Sequence, residues 1–125
     1  MAIRLRYLAY LLIFFTLMIL LGSLPGQAEA LSARFGDKPL HLIAYMCFSV
    51  LCYCIWITPR RQRILLTISL IALLGLIDEG IQAALPYRNA SVIDWCFDLF
   101  AVLITVGGLS LQESLSPLQN PHAKN

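Results

Sequence analysis

LIALLGLIDEGIQAALPYR, Leu70 to Arg88, begins as a membrane helix and then sets Asp78 and Glu79 side by side in the apolar run, with Gln82 close behind. Acids at that depth need compensation only if the surrounding solvent is lipid, and composition settles which solvent the chain expects. Of 125 residues, 59% are hydrophobic and 13% charged, with a mean hydropathy of +0.77. Soluble domains average roughly 45–50% apolar and about 25% charged residues. The sequence is that of a membrane protein.

Four apolar runs are legible: Tyr7 to Leu24, Pro39 to Ile57, Ile64 to Leu85 and Val92 to Leu111. As helices they would be about 27 to 33 Å long, matching a hydrocarbon core of roughly 30 Å. The expected fold is all-α, an integral membrane four-helix up-down bundle, because short connections make successive helices alternate in direction. A β-barrel is excluded, since the alternation of period two that it needs is absent. One transmembrane domain is expected over residues 1–113. The tail SLSPLQNPHAKN, residues 114–125, is polar and proline-containing and reads as disordered.

Orientation follows from the cations. Arg4, Arg6, Arg60, Arg61, Arg63 and Lys124 fall on one side, and Arg34, Lys38 and Arg88 on the other, so both termini are expected in the cytoplasm. The N-terminal run resembles a secretory signal with Ala28-Glu29-Ala30 as its cleavage site, but it exceeds the usual length of about 7–15 residues. It is therefore read as an uncleaved first span. A net charge of +2 makes no nucleic-acid patch, and no phosphate-binding glycine loop is present. Cys47, Cys52, Cys54 and Cys96 lie in apolar runs without C-x-x-C spacing, and are expected to be small buried packing residues.

In an up-down bundle the ionisable residues gather at the outer end. Asp37, Lys38 and His41 open the second span, Asp78, Glu79 and Gln82 approach the end of the third, Arg88 follows, and Asp94 and Asp98 open the fourth. Glu79 lies about 10 Å below its helix end and Asp98 about 7 Å past its helix start, so acids from two helices meet at similar depth. Lys38, His41, Tyr45 and Cys52 form one stripe. Ser91, Asp94, Asp98, Ala101, Thr105 and Gly108 form another, and both should face the interior.

Insertion scales charge about 2.5–3.5 kcal/mol for an aspartate at a helix centre, so such residues are functional candidates by default. Asp78 and Glu79 also approach a helix C-terminus, where the dipole disfavours them, and for Glu79 capping is out of reach. The acids outnumber Lys38, Arg88 and a charged His41. Hence either a carboxylate stays protonated near neutral pH or a divalent cation binds.

Structural roles compete with functional ones at several positions. Asp37 ahead of Pro39 suits an N-cap, and Ser91 with Asp94 fits a capping box. His41 could bond a backbone carbonyl, Tyr45 could anchor at the interface, and Arg88 could snorkel to the surface.

Gly36-Asp37-Lys38-x-x-His41-x-x-x-Tyr45, Glu79-x-x-Gln82 with Pro86 and Arg88, and Ser91-x-x-Asp94-x-x-x-Asp98 together resemble the VanZ-like family, named for a teicoplanin-resistance protein. The resemblance spans about Gly36 to Gly108. It implies a small multi-pass protein of the bacterial cytoplasmic membrane, in a family linked through its founder to low-level glycopeptide resistance. Its motif residues carry over as Asp37, Lys38, His41, Tyr45, Glu79, Gln82, Arg88, Ser91 and Asp94. Asp98 departs from it, since the family usually has asparagine there.

The leading functional expectation is an outer-leaflet polar pocket that binds or acts on a cell-envelope component, a lipid headgroup or a lipid-linked precursor. In an enzymatic version Glu79 or Asp94 would be the acid or base and His41 the proton shuttle, while Lys38 and Arg88 would hold an anion. Asp37, Tyr45, Gln82, Ser91 and Asp98 would complete the binding surface. A metal version uses His41, Glu79, Asp94 and Asp98 as ligands of a divalent cation. A non-catalytic scaffold or accessory subunit with a structural polar network is the competing reading.

Overall fold

A backbone in hydrocarbon must satisfy its own N–H and C=O groups, so runs rich in Leu, Ile, Ala and Phe wind into helices. The structure, a computed structural model, describes residues 2–116, except for the side chains at 2, 27–29 and 37. Five helices follow in order: α1 (Ala2–Ser23), α2 (Gln27–Phe35), α3 (Asp37–Ile55), α4 (Arg60–Ala84) and α5 (Val92–Leu115). No strand occurs among the described residues. Helices α1, α3, α4 and α5 are long and apolar enough to cross a membrane, the organisation of a multi-pass membrane protein. Large apolar side chains such as Leu17, Ile43, Leu73 and Leu103 cover their outer faces.

Helix α2 has no counterpart among the apolar runs. It is short and polar, and glycines with positive φ flank it: Gly26 at +80° and Gly36 at +81°. Backbone there favours glycine, because a Cβ is disfavoured at such φ values. Gly36 donates its N–H to the Ser32 carbonyl at 2.9 Å, closing α2, and is also the N-cap of α3. Asp37 is thus the first helical residue and not the cap. Its side chain lies outside the described residues.

Helix α3 is the hub, packing on α1, α2, α4 and α5, while α4 also packs on α5. Helix α1 leans chiefly on α3, where the rings of Phe14 and Phe15 lie 4.6 and 5.8 Å from that of the fully buried Phe48. The result is a tight group of α3, α4 and α5 with α1 set against one side of it.

At one end, the start of α4 is tied to the end of α5. Arg60 Nη1 donates to Ser114 Oγ at 2.5 Å, and Arg63 pairs with Glu113 at 3.0 Å and stacks over the Tyr53 ring at 4.6 Å. Helix α5 therefore runs past the expected residue 111 and takes in Ser114, the first residue of the expected tail. Residues 117–125 lie outside the described residues.

The interior stripes hold in part. His41, Tyr45 and Cys52 are buried on α3, and Asp94, Asp98, Ala101 and Thr105 on α5. Lys38 and Gly108 are exposed instead. Cys52 alone of the four cysteines is buried, because only it falls on the face that α3 turns inward.

Candidate functional site

The buried acids and His41, with Gln82, collect at the end opposite Arg60 and Arg63. Helical spacing brings them there: four residues separate His41 from Tyr45, Asp78 from Gln82 and Asp94 from Asp98, so each pair shares a face. His41 Nδ1 lies 3.1 Å from Asp98 Oδ1, and the Asp98 side chain is wholly inaccessible. The imidazole stacks parallel to the Tyr45 ring at 6.0 Å, and the Tyr45 hydroxyl donates to Asp78 Oδ2 at 3.5 Å. Three helices are thereby joined through two side chains of α3. Tyr45 is fully buried, which removes the interfacial-anchor reading.

Glu79 has the most consequential placement. The Ser91 backbone N–H donates to Glu79 Oε2 at 2.6 Å, while Ser91 Oγ accepts from the Asp94 N–H at 3.4 Å. In a capping box, the acid three residues after the cap would reach back to the cap's own N–H. Here Glu79 makes that contact from another helix, and Asp94 is left to point elsewhere. The expectation that no cap was within reach of Glu79 is wrong, because the helix end it meets is that of α5. The positive end of the α5 dipole favours that oxygen, while Glu79 Oε1 has no hydrogen-bond partner among the described residues.

Among the described residues no ion pair joins Lys38 or Arg88 to Asp78, Glu79, Asp94 or Asp98. Arg88 is half-buried, and its Nη2 donates to Gln82 Oε1 at 2.8 Å. Glu79 Oε1, Asp94 Oδ1 and Asp98 Oδ2 are buried without a hydrogen-bond partner there. One ligand atom from each of His41, Glu79 and Asp94 lies within 4.8 Å of the others. Asp98 stands behind His41.

A cavity of about 320 Å³ opens beside this cluster. Phe14, Leu17, Met18 and Leu21 of α1 form its apolar wall, and His41, Asp78, Gln82 and Arg88 its polar end. Asp78 and Glu79 therefore serve different faces: Asp78 lines the cavity with Gln82, and Glu79 meets α5. The Glu79-x-x-Gln82 motif pairs Gln82 with Glu79 instead, and Asp78 is the acid that joins it at the cavity.

Sequence reasoning passed over Gly75 and Trp95. A Cβ on Gly75 would lie 2.9 Å from both Asp98 Oδ2 and Trp95 Cδ1, and the Trp95 indole N–H donates to the Ala72 carbonyl at 3.1 Å. An isolated glycine inside a helical run was the available signal for close approach. Gly75→Val is expected to destabilise the fold by about 1–3 kcal/mol, the usual range for overpacking, and to loosen the His41–Asp98 contact. Titration with a denaturing detergent measures the first effect. The second is read from the imidazole resonances of His41.

No protein-family model, curated protein or solved structure matches this chain.

Proposed function

We propose that the chain is a VanZ-like multi-pass protein of a bacterial cytoplasmic membrane, whose outer-leaflet pocket binds the headgroup of an envelope lipid or lipid-linked precursor. The observation that carries this reading is the cavity, whose wall changes from the apolar side chains of α1 to His41, Asp78, Gln82 and Arg88. Such a gradient suits a ligand with an acyl chain at one end and a polar head at the other. Arg88 would take a phosphate oxygen of the head, and Asp78 and Gln82 its hydroxyl or amine donors. A histidine held by a buried carboxylate is also equipped for proton transfer, with Glu79 and Asp94 beside it.

The bundle would be up-down with both termini cytoplasmic. The alternation is supported for α4 and α5: the α4 start meets the α5 end through Arg60 and Ser114, and the α4 end meets the α5 start through Glu79 and Ser91. Were the ligand a cell-wall precursor, the pocket would offer a route to glycopeptide or envelope-stress resistance. A second reading, a non-catalytic scaffold, is favoured by one observation: one oxygen of Glu79, Oε2, is taken up by the start of α5.

Two variants test the pocket. Arg88→Gln removes the cation, and Ala44→Phe, at an α3 residue that lines the cavity, fills it. The first is expected to lower phospholipid retained by the purified protein about tenfold or more, the equivalent of a lost charged hydrogen bond, and the second to lower it at least as much by exclusion. Native mass spectrometry counts the bound lipid. Retention equal to wild type in both variants would refute the pocket, and unchanged lipid and precursor profiles in cells lacking the gene would favour the scaffold.

A further inference from the structure

We propose that His41, Glu79 and Asp94 form a divalent-cation site for a borderline metal such as Zn²⁺ or Mn²⁺, with Asp98 as the residue that positions His41. It stands whatever occupies the neighbouring cavity. Two observations carry it independently. Ligand atoms from three helices converge within 4.8 Å, close enough for one ion to draw them together. Glu79 and Asp94 are also more than nine-tenths buried, and each retains a carboxylate oxygen with no hydrogen-bond partner among the described residues.

Charge makes the same demand. Lys38 is exposed and Arg88 is directed to Gln82, and among the described residues neither forms an ion pair with Glu79 or Asp94. A divalent ion would supply that charge and use the orphaned oxygens at once.

The donor set selects the metal. Imidazole nitrogen beside two carboxylates fits Zn²⁺ or Mn²⁺ better than Mg²⁺ or Ca²⁺, which favour all-oxygen sites. Metal-binding histidines usually pass their other ring N–H to a carboxylate, and the contact of Asp98 Oδ1 with His41 Nδ1 has that form. The other Asp98 oxygen lies against Gly75 of α4, which makes Asp98 a support for His41 and not a fourth ligand.

Full-length protein, stripped with chelator in lipid nanodiscs, would be titrated with Zn²⁺ or Mn²⁺ alone by calorimetry. Wild type is expected to bind one equivalent saturably, and Asp94→Asn and His41→Gln to lose at least about a hundredfold in affinity. Asp98→Asn should weaken binding by about 10–100-fold, the range for residues that orient a ligand. Glu113→Gln, at the opposite end of the bundle, should leave it unchanged. Thermal unfolding of each variant establishes that it is folded. X-ray absorption of the wild-type zinc form provides a readout that needs no variant: light-atom ligands including imidazole support the site, and sulfur ligation overturns it. Absence of saturable binding by wild type, or full affinity in folded Asp94→Asn, overturns it as well.

Discussion

Glu79→Ala is expected to cost about 2–3 kcal/mol of stability, whereas Glu79→Gln should cost less than about 1 kcal/mol. The difference tests what Glu79 does for the fold. Its Oε2 accepts the Ser91 N–H at 2.6 Å, at the start of a helix packed against α3 and α4. Alanine would leave that N–H without an acceptor in a part-buried setting, and remove the negative charge that faces the α5 dipole. Glutamine keeps an acceptor oxygen in the same place and loses only the charge. Reversible unfolding in mixed micelles gives both values. Equal losses would show that charge, and not capping, is what the fold uses, and would return the question of compensation to the open acids around His41. Because glutamine preserves the fold, the same variant isolates function: headgroup turnover or cation binding lost in folded Glu79→Gln would assign the carboxylate a chemical role beyond capping.

Phe48→Ala is the largest expected effect in the apolar interior. Phe48 is fully buried and touches the rings of Phe14, Phe15 and Tyr45, so it joins α1 to the polar cluster. In soluble cores such a truncation costs about 3–5 kcal/mol. Lipid removes most of the transfer component, because exposed rings are as well solvated by acyl chains as by protein, so packing loss should leave about 2–3 kcal/mol. Phe100, 53% exposed on α5, provides the comparison: Phe100→Ala should change stability by less than about 0.5 kcal/mol. Since α1 leans chiefly on α3, the Phe48 variant should also loosen α1 before the remaining helices. Hydrogen exchange would detect that as faster exchange confined to α1. Uniform acceleration across all helices would contradict the arrangement of a tight three-helix group with α1 beside it.

The two effects separate what each end of the molecule depends on. Around Phe48, the chain is held by shape, and any apolar residue of similar volume would serve in part. Around Glu79 and Asp98, it is held by directed contacts between groups that lipid cannot solvate, and neighbouring substitutions should therefore be strongly non-additive.

Much of this was legible in the residue order. Runs of about twenty apolar residues can satisfy their backbone in lipid only as helices, so the four long helices follow from hydropathy and length alone. Threefold and fourfold spacing likewise marked the inward faces of α3 and α5, and His41, Tyr45, Asp94 and Asp98 are buried as that spacing requires. Helix α2 was not legible, because a short polar segment carries no long apolar period and its ends are set by two glycine dihedrals. Nor were the partners of the acids. Sequence counts charges but not which helix end a side chain can reach, and only the packing of α4 against α5 put the Ser91 N–H within 2.6 Å of Glu79. The same packing turned Asp78 toward the cavity and kept Lys38 at the surface. Periodicity acts within one helix and is written in the chain; the compensation of a buried charge acts between helices, and only their mutual placement decides it.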